Sequence, residues 1–339
     1  MLPFDPNAAA GPDSGVFGLP FTPEQSEVVL LPIPFEATTS YGGGTADGPA
    51  AILAASRQVD LFDVETGRPY ERGIAMLDAI PEIRALNDEA RALAEPILAA
   101  GGAGDDPALQ ASLAAVNDRC ARMNELVYRE ACRWLDAGKR VVGVGGDHST
   151  VYGVIRAYAE RHPGMGILHV DAHADLREAY EGFVWSHASI FHNVMTRLPG
   201  VARLVQVGIR DLGEAEHRFS EASQGRIVTH YDVVTRARMF AGDTWAALCR
   251  EIVSALPPRV YVSFDIDGLD PTLCPHTGTP VPGGLSFSEA TALIAEVVRS
   301  GRSIIGLDLN EVAPGPDSEW DGNVGARLLY KMIGWMQRR

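Results

Sequence analysis

Three apolar runs in this chain each end in a group of side chains suited to holding metal, and this recurrence constrains the fold most. They read VVGVGGDHST (141–150), GILHVDAHADLR (166–177) and VYVSFDIDGLDP (260–271). Several ionisable groups seldom leave one buried strand without a use for them. In parallel α/β folds, ligands gather at the carboxyl ends of strands, so the three groups would converge on one sheet edge. The rest of the chain fits such a sheet. Short apolar runs at 28–33, 74–77, 140–144, 166–170, 204–209, 226–229, 260–264 and 303–309 read as strands. Longer amphipathic stretches at 49–56, 85–99, 108–137, 149–161, 244–256, 286–300 and 322–337 read as helices. With no internal repeat and no shift in composition, residues 1–339 are expected to form one domain, behind an N-terminal extension of about 25 residues. Its class is α/β, a mostly parallel sheet of about eight strands layered by helices.

The spacing inside the three groups carries chemistry. Residues i, i+2 and i+4 of an extended segment point to one side, so Asp171, His173 and Asp175 share a face, as do Asp265 and Asp267. With His148 the set comprises four carboxylates and two imidazoles. Clustered carboxylates repel one another unless cations neutralise them. Six such ligands, with carboxylates able to bridge, suit a pair of divalent ions ~3.5–4 Å apart. Oxygen-rich ligation with only two His favours Mn2+, with Ni2+ as the alternative. The competing reading is an ion-pair network with Arg177, Arg210 and Arg259, which would leave some carboxylates unpaired.

Charge and cysteine usage narrow the setting. With 44 acidic against 29 basic residues the formal charge is −15, and no basic stripe suggests nucleic acid or an anionic membrane as a partner. An acidic surface suits cations. Cys120, Cys132, Cys249 and Cys274 are widely spaced and form no CxxC pair, which fits a reducing compartment. No apolar run reaches the ~20 residues that cross a bilayer, and the first residues lack the pattern of a signal peptide. A cytoplasmic location is expected.

The segments GGDHS (145–149), DAHAD (171–175), SFDIDGLDP (263–271) and TGTPVPGGL (277–285) closely resemble the ureohydrolases, the arginase and agmatinase family. VGIRD (207–211), GTADGPAAILAAS (44–56) and GLDLNEVAP (306–314) extend the resemblance over most of the chain. It implies a three-layer α/β/α fold, a dinuclear manganese centre and a homotrimer or homohexamer. By motif, His148, Asp171, Asp175 and Asp265 would hold one ion. Asp171, His173, Asp265 and Asp267 would hold the other. Glu311 matches the glutamate that binds the guanidinium group. The implied reaction is hydrolysis of a guanidino compound to urea and an amine. Asp175 would stabilise the tetrahedral intermediate, and Asp267 or His187 would supply or relay the proton to the departing amine. His187 stands where the family carries a shuttling histidine, with His192 as a neighbouring rival.

The substrate is less constrained. Arginases carry an Asn after the DAHAD segment, whereas this chain has Arg177 two residues beyond Asp175. An always-charged Arg there disfavours a second substrate cation and could bind a carboxylate, unless Glu178 or Glu181 engages it. The DLR…YEGF…SHAS pattern resembles the agmatinase-like branch that includes guanidine hydrolases. Trp185 and Trp320 could cap a small planar cation. Agmatine, free guanidine and guanidino acids such as guanidinobutyrate or guanidinopropionate all stay open. Two readings of another class are a dinuclear phosphoesterase and a non-catalytic partner subunit; the Gly-rich residues 41–45 do not match a P-loop, and the full ligand set argues against the second.

Overall fold

Sequences such as VVLLPI at residues 28–33 are apolar at every position, which suits a strand covered on both faces. The computed structural model describes residues 4–11 and 13–338. Eight strands form one sheet: β1 (Val28–Ile33), β2 (Ile74–Met76), β3 (Arg140–Gly145), β4 (Met165–Val170), β5 (Val201–Ile209), β6 (Ile227–Tyr231), β7 (Arg259–Asp265) and β8 (Ser303–Asn310). Their order is β2-β1-β3-β8-β7-β4-β5-β6, and all neighbours run parallel. The expected α/β class and strand number hold. Central β3, β8, β7 and β4 lie side by side, so the carboxyl ends that carry the three motifs are neighbours.

Among the described residues ten α-helices cover the sheet: α1 (Gly48–Ser56), α2 (Pro81–Ala100), α3 (Pro107–Asp136), α4 (Tyr152–Arg161), α5 (Ile190–Arg197), α6 (Glu214–Glu221), α7 (Asp232–Phe240), α8 (Trp245–Ser254), α9 (Phe287–Arg299) and α10 (Trp320–Gln337). Alternate strand residues feed two cores. Val28 and Leu30 join the core under α1, α8, α9 and α10, while Val29, Leu31 and Ile33 join that under α2, α3, α4 and α5. Ahead of β1, Val16, Phe17 and Leu19 are buried in the first of these cores.

Local signals explain most boundaries. Asp106 caps α3 by accepting from Ala108 N and Leu109 N, with Pro107 in the first turn. Ser286 and Glu289 form a capping box on α9. The helix expected over 149–161 is a 3-10 turn, His148–Val151, followed by α4, because Asp147 accepts from Ser149 N and bends the chain there. Pattern reading misses α5, α6 and α7. They have eight or nine residues each, and α6 buries only Glu216 and Ser220, so it has no apolar stripe.

Tyr158 of α4 ties its layer to the sheet. Its buried hydroxyl accepts from Val141 N and donates to Val141 O, both at 2.9 Å. Its ring fills the space over Gly306, where a Cβ would lie 2.5 Å from the ring. Tyr158→Phe is expected to destabilise the fold by about 1–3 kcal/mol, because it leaves buried backbone groups short of a partner. Urea denaturation of the variant, with metal content measured alongside, checks this; the metal content should not change.

Candidate metal centre and the cavity beside it

The turn after β3 works because its glycines admit no side chain. A Cβ on Gly146 would lie 2.1 Å from Phe35 O, and one on Gly145 would lie 2.1 Å from Asn310 Oδ1. The tight turn delivers His148 into the cluster, where its backbone N–H donates to Glu311 Oε1 at 3.0 Å. Beyond β4, Asp171 accepts from His173 N at 2.6 Å, and Asp267 accepts from Ala172 N at 3.0 Å. Asp265 in turn accepts from Asp267 N at 2.9 Å. Each motif is therefore stitched to itself or to its neighbour by backbone donors. Asp175 and Glu311 both have left-handed backbone, φ 55° and 61°. For non-glycine residues such conformations cost about 1–3 kcal/mol each and cluster at working sites.

The six residues picked out by spacing come together. His148 Nδ1 lies 3.0 Å from Asp171 Oδ2, 3.2 Å from Asp265 Oδ2 and 3.4 Å from Asp175 Oδ2. His173 Nδ1 lies 3.0 Å from Asp267 Oδ2 and 3.5 Å from Asp171 Oδ1. Two groups whose donor atoms lie within 4.8 Å of one another, His148, His169, Asp171 and Asp175 in one and Asp171, His173 and Asp267 in the other, share Asp171. All four carboxylates are buried.

Electrostatics shows the charge that this cluster calls for. Burial, then the charge of Asp171, pushes the Asp175 carboxyl well above its ordinary range. Burial, then Asp267 and Asp171, does the same to Asp265. Burial alone would raise Asp171 too, but His169 and hydrogen bonds from His148, His169 and His173 hold it well below. Burial would lower His148, yet Asp171 pushes it up to about 9. The protein's own groups leave the cluster with a strong pull on cations, protons included. The ion-pair alternative fails, since Arg210 donates to the backbone oxygens of Gly208, Asp267, Leu269 and Val281. Arg259 donates to Pro163 O, and Arg177 pairs with Glu216. An oxygen-rich donor set with uncompensated negative charge fits divalent ions.

Behind the cluster stand residues outside the six expected ligands. His169 Nε2 lies 2.7 Å from Asp171 Oδ2, and its Nδ1 lies 3.0 Å from Gln206 Nε2. His148 Nε2 lies 3.0 Å from Ser263 Oγ, which donates to Asp308 Oδ1 at 2.8 Å. Such partners fix the ring that a ligating imidazole presents. A signal for His169 exists in the sequence, because it sits two residues before Asp171 on the same strand face.

Beside the cluster opens a cavity of ≈160 Å³ whose walls include His173, Asp175, Arg177, His187, Asp211 and Thr279. Arg177 is not engaged by Glu178 or Glu181. Its Nε lies 3.4 Å from Oε2 of buried Glu216, whose other oxygen accepts from Leu176 N. The charge that argued against a second substrate cation is thus compensated. Asp211, exposed on the same wall, has no ion pair or side-chain hydrogen bond to another described residue. His187 is half-buried, and burial followed by the charge of His173 lowers it to about 4. The other expected residues lie elsewhere. Trp185 packs edge-on to Tyr152 under Arg197, and His192 packs on Phe219. Trp320 is on the surface, donating from Nε1 to Thr272 O. None of the three is among the residues lining this cavity.

A parallel α/β sheet with this acidic centre at its carboxyl edge defines a metal-dependent hydrolase. Residues 26–334 match the model of the Arginase family, and the chain belongs to that family. It is a ureohydrolase, cleaving a guanidino compound to urea and an amine. It is 34% identical over 322 residues to an N(1)-aminopropylagmatine ureohydrolase of Thermus thermophilus, covering 94% of each chain. It is 30% identical to agmatinase of Bacillus anthracis, covering 93% of each. In fold it is similar to proclavaminate amidino hydrolase of Streptomyces clavuligerus, with a TM-score of 0.72, 23% identity and coverage of 97% of this chain and 99% of that one.

The shared position of Asp171 generates a prediction. Asp171→Ala is expected to lose both ions and Asp175→Ala only one, read as metal per chain by inductively coupled plasma mass spectrometry. Equal loss in the two variants would contradict the shared position.

Proposed function

We propose that the substrate is a guanidino compound with a second cationic group, agmatine or a longer polyamine derivative of it, giving urea and a diamine such as putrescine. The observation that carries this reading is the charge balance of the cavity wall. Arg177 is offset by Glu216, and the Asp211 carboxylate is left to meet a cationic tail. The names of the similar relatives, an aminopropylagmatine ureohydrolase and an agmatinase, point the same way.

His148, Asp171, Asp175 and Asp265 would hold one ion and Asp171, His173, Asp265 and Asp267 the other, with Asp171 and Asp265 shared. The oxygen-rich set favours Mn2+ over Ni2+. When bound, such ions lower the pKa of water toward neutral and so make hydroxide available at pH 7. Glu311 orients the guanidinium. Its Oε1 is anchored by His148 N, and burial, with the charges of Asp147 and Asp267, raises its proton affinity until a cation docks. Pairing with a planar cation restores the carboxylate and fixes the central carbon. Asp175, on the wall, faces the amino groups as that carbon becomes tetrahedral. His187, neutral at pH 7, would relay to the departing amine a proton taken up from solvent, or Asp267 would pass on the proton given up by the attacking water.

No described helix is long and apolar enough to cross a membrane. Cysteine usage supports a cytoplasmic location and the family resemblance a homotrimer or homohexamer, and light scattering in solution tests the assembly.

Urea release by the Mn2+-loaded protein from agmatine, guanidine, guanidinobutyrate, guanidinopropionate and arginine tests the substrate. Agmatine is expected to show the highest kcat/KM. Preference for guanidinobutyrate would transfer the reading to a guanidino acid, and turnover of guanidine alone to a free-guanidine hydrolase. Asp211→Asn is expected to raise the KM for agmatine about tenfold, the size of one lost charged contact, without changing turnover of guanidine. Glu311→Gln should keep both ions and lose at least about 100-fold in kcat.

A further inference from the structure

We infer that His276 and Asp321 form a positioning pair that holds residues 277–279 against Glu311 and Asp267. The two residues are 45 positions apart, His276 in the connection after β7 and Asp321 at the start of α10. Asp321, fully buried in the first turn of α10, accepts twice from His276. Its Oδ1 takes the backbone N–H at 2.9 Å, and its Oδ2 lies 2.8 Å from ring Nδ1. Gly315 packs against the imidazole, since a Cβ there would lie 2.5 Å from Cε1. Trp320 Nε1, donating to Thr272 O at 3.0 Å, makes a second tie between the same two segments.

The next three residues meet the centre itself. Thr277 Oγ1 donates to Glu311 O at 2.8 Å. Gly278 approaches the Glu311 carboxylate so closely that a Cβ there would lie 3.1 Å from Oε2. Thr279 Oγ1 reaches toward Asp267 Oδ2 at 3.5 Å and lines the cavity. From the other side, Gly42 N donates to Gly278 O at 3.0 Å. The segment has no regular secondary structure to stiffen it, so its placement depends on these few contacts. His276–Asp321 anchors its amino end with two bonds, as Arg210, donating twice to Val281 O, does beyond its carboxyl end. The pair touches neither the cavity nor the proposed ligands; it acts through the segment that does.

A staple that only stabilises the fold would lower Tm and leave kinetics alone, which separates the two roles. On any guanidino substrate that the parent hydrolyses, Asp321→Ala and His276→Ala are expected to lower kcat about 10- to 100-fold, the effect of a misplaced reacting group, with a smaller change in KM. Metal content should match the parent, and amide exchange across residues 275–280 should become faster. Asp321→Asn keeps an acceptor for the His276 backbone N–H and sets an NH2 opposite ring Nδ1, which accepts in the other tautomer, so it should stay close to the parent in both readouts. His276 is a third exposed, so His276→Ala decides the matter if Asp321→Ala does not fold. Parent-like kcat in His276→Ala, metal loss in that variant, or an Asp321→Asn as impaired as Asp321→Ala would each overturn the proposal. The exchange readout needs no substrate, so it stands apart from the choice of agmatine.

Discussion

Four carboxylates held together out of water are the constraint on which the rest of the structure depends. Each would cost several kcal/mol to bury charged and alone. The chain offsets part of this with imidazoles and backbone N–H donors and leaves a residue of negative charge that suits divalent ions. It also accepts unfavourable backbone at Asp175 and Glu311. Such strain persists only where the surroundings over-determine it. Here the surroundings are rigid, because four central strands and both cores meet directly behind the cluster.

The order of the strands turns chemistry scattered along the sequence into one site. His148, the three residues of DAHAD, the two of FDID and Glu311 are spread over more than 160 positions. Each group follows a strand, and β3, β4, β7 and β8 are adjacent. Parallel pairing then places all their carboxyl ends on one edge. A ring of Ser, Gln and His hydrogen bonds behind the cluster holds the imidazoles that face it.

Much of this was legible in the residues. All eight strands stand within a few residues of where apolar runs place them, because a strand covered on both faces needs an uninterrupted apolar run. Asp171, His173, Asp175, Asp265 and Asp267 were legible from their spacing at the ends of apolar runs, and His148 from its place after a third, although Asp175 takes left-handed backbone and Asp267 a 3-10 turn where extended chain was expected. What escaped depends on contacts between distant segments. Glu216 sits 39 positions from Arg177, on a short helix without an apolar stripe, so nothing local announced the pair. The aromatic residues misled for a related reason. A Trp near a motif in sequence says little about where its ring points, and Trp185 turns into the packing beside Tyr152.

The division of labour between strand ends and loops has a consequence for descent. The ion-type ligands and Glu311 follow central strands, where any change disturbs buried charge. Arg177, His187, Asp211, Glu216 and Thr279 lie in the connections beyond them, on the cavity wall. On the proposed reading, substitution there would recast the charge and length of the compound accepted while the reacting centre stays as it is. Within one such lineage, the tail of the substrate is free to drift much faster than the bond that is broken.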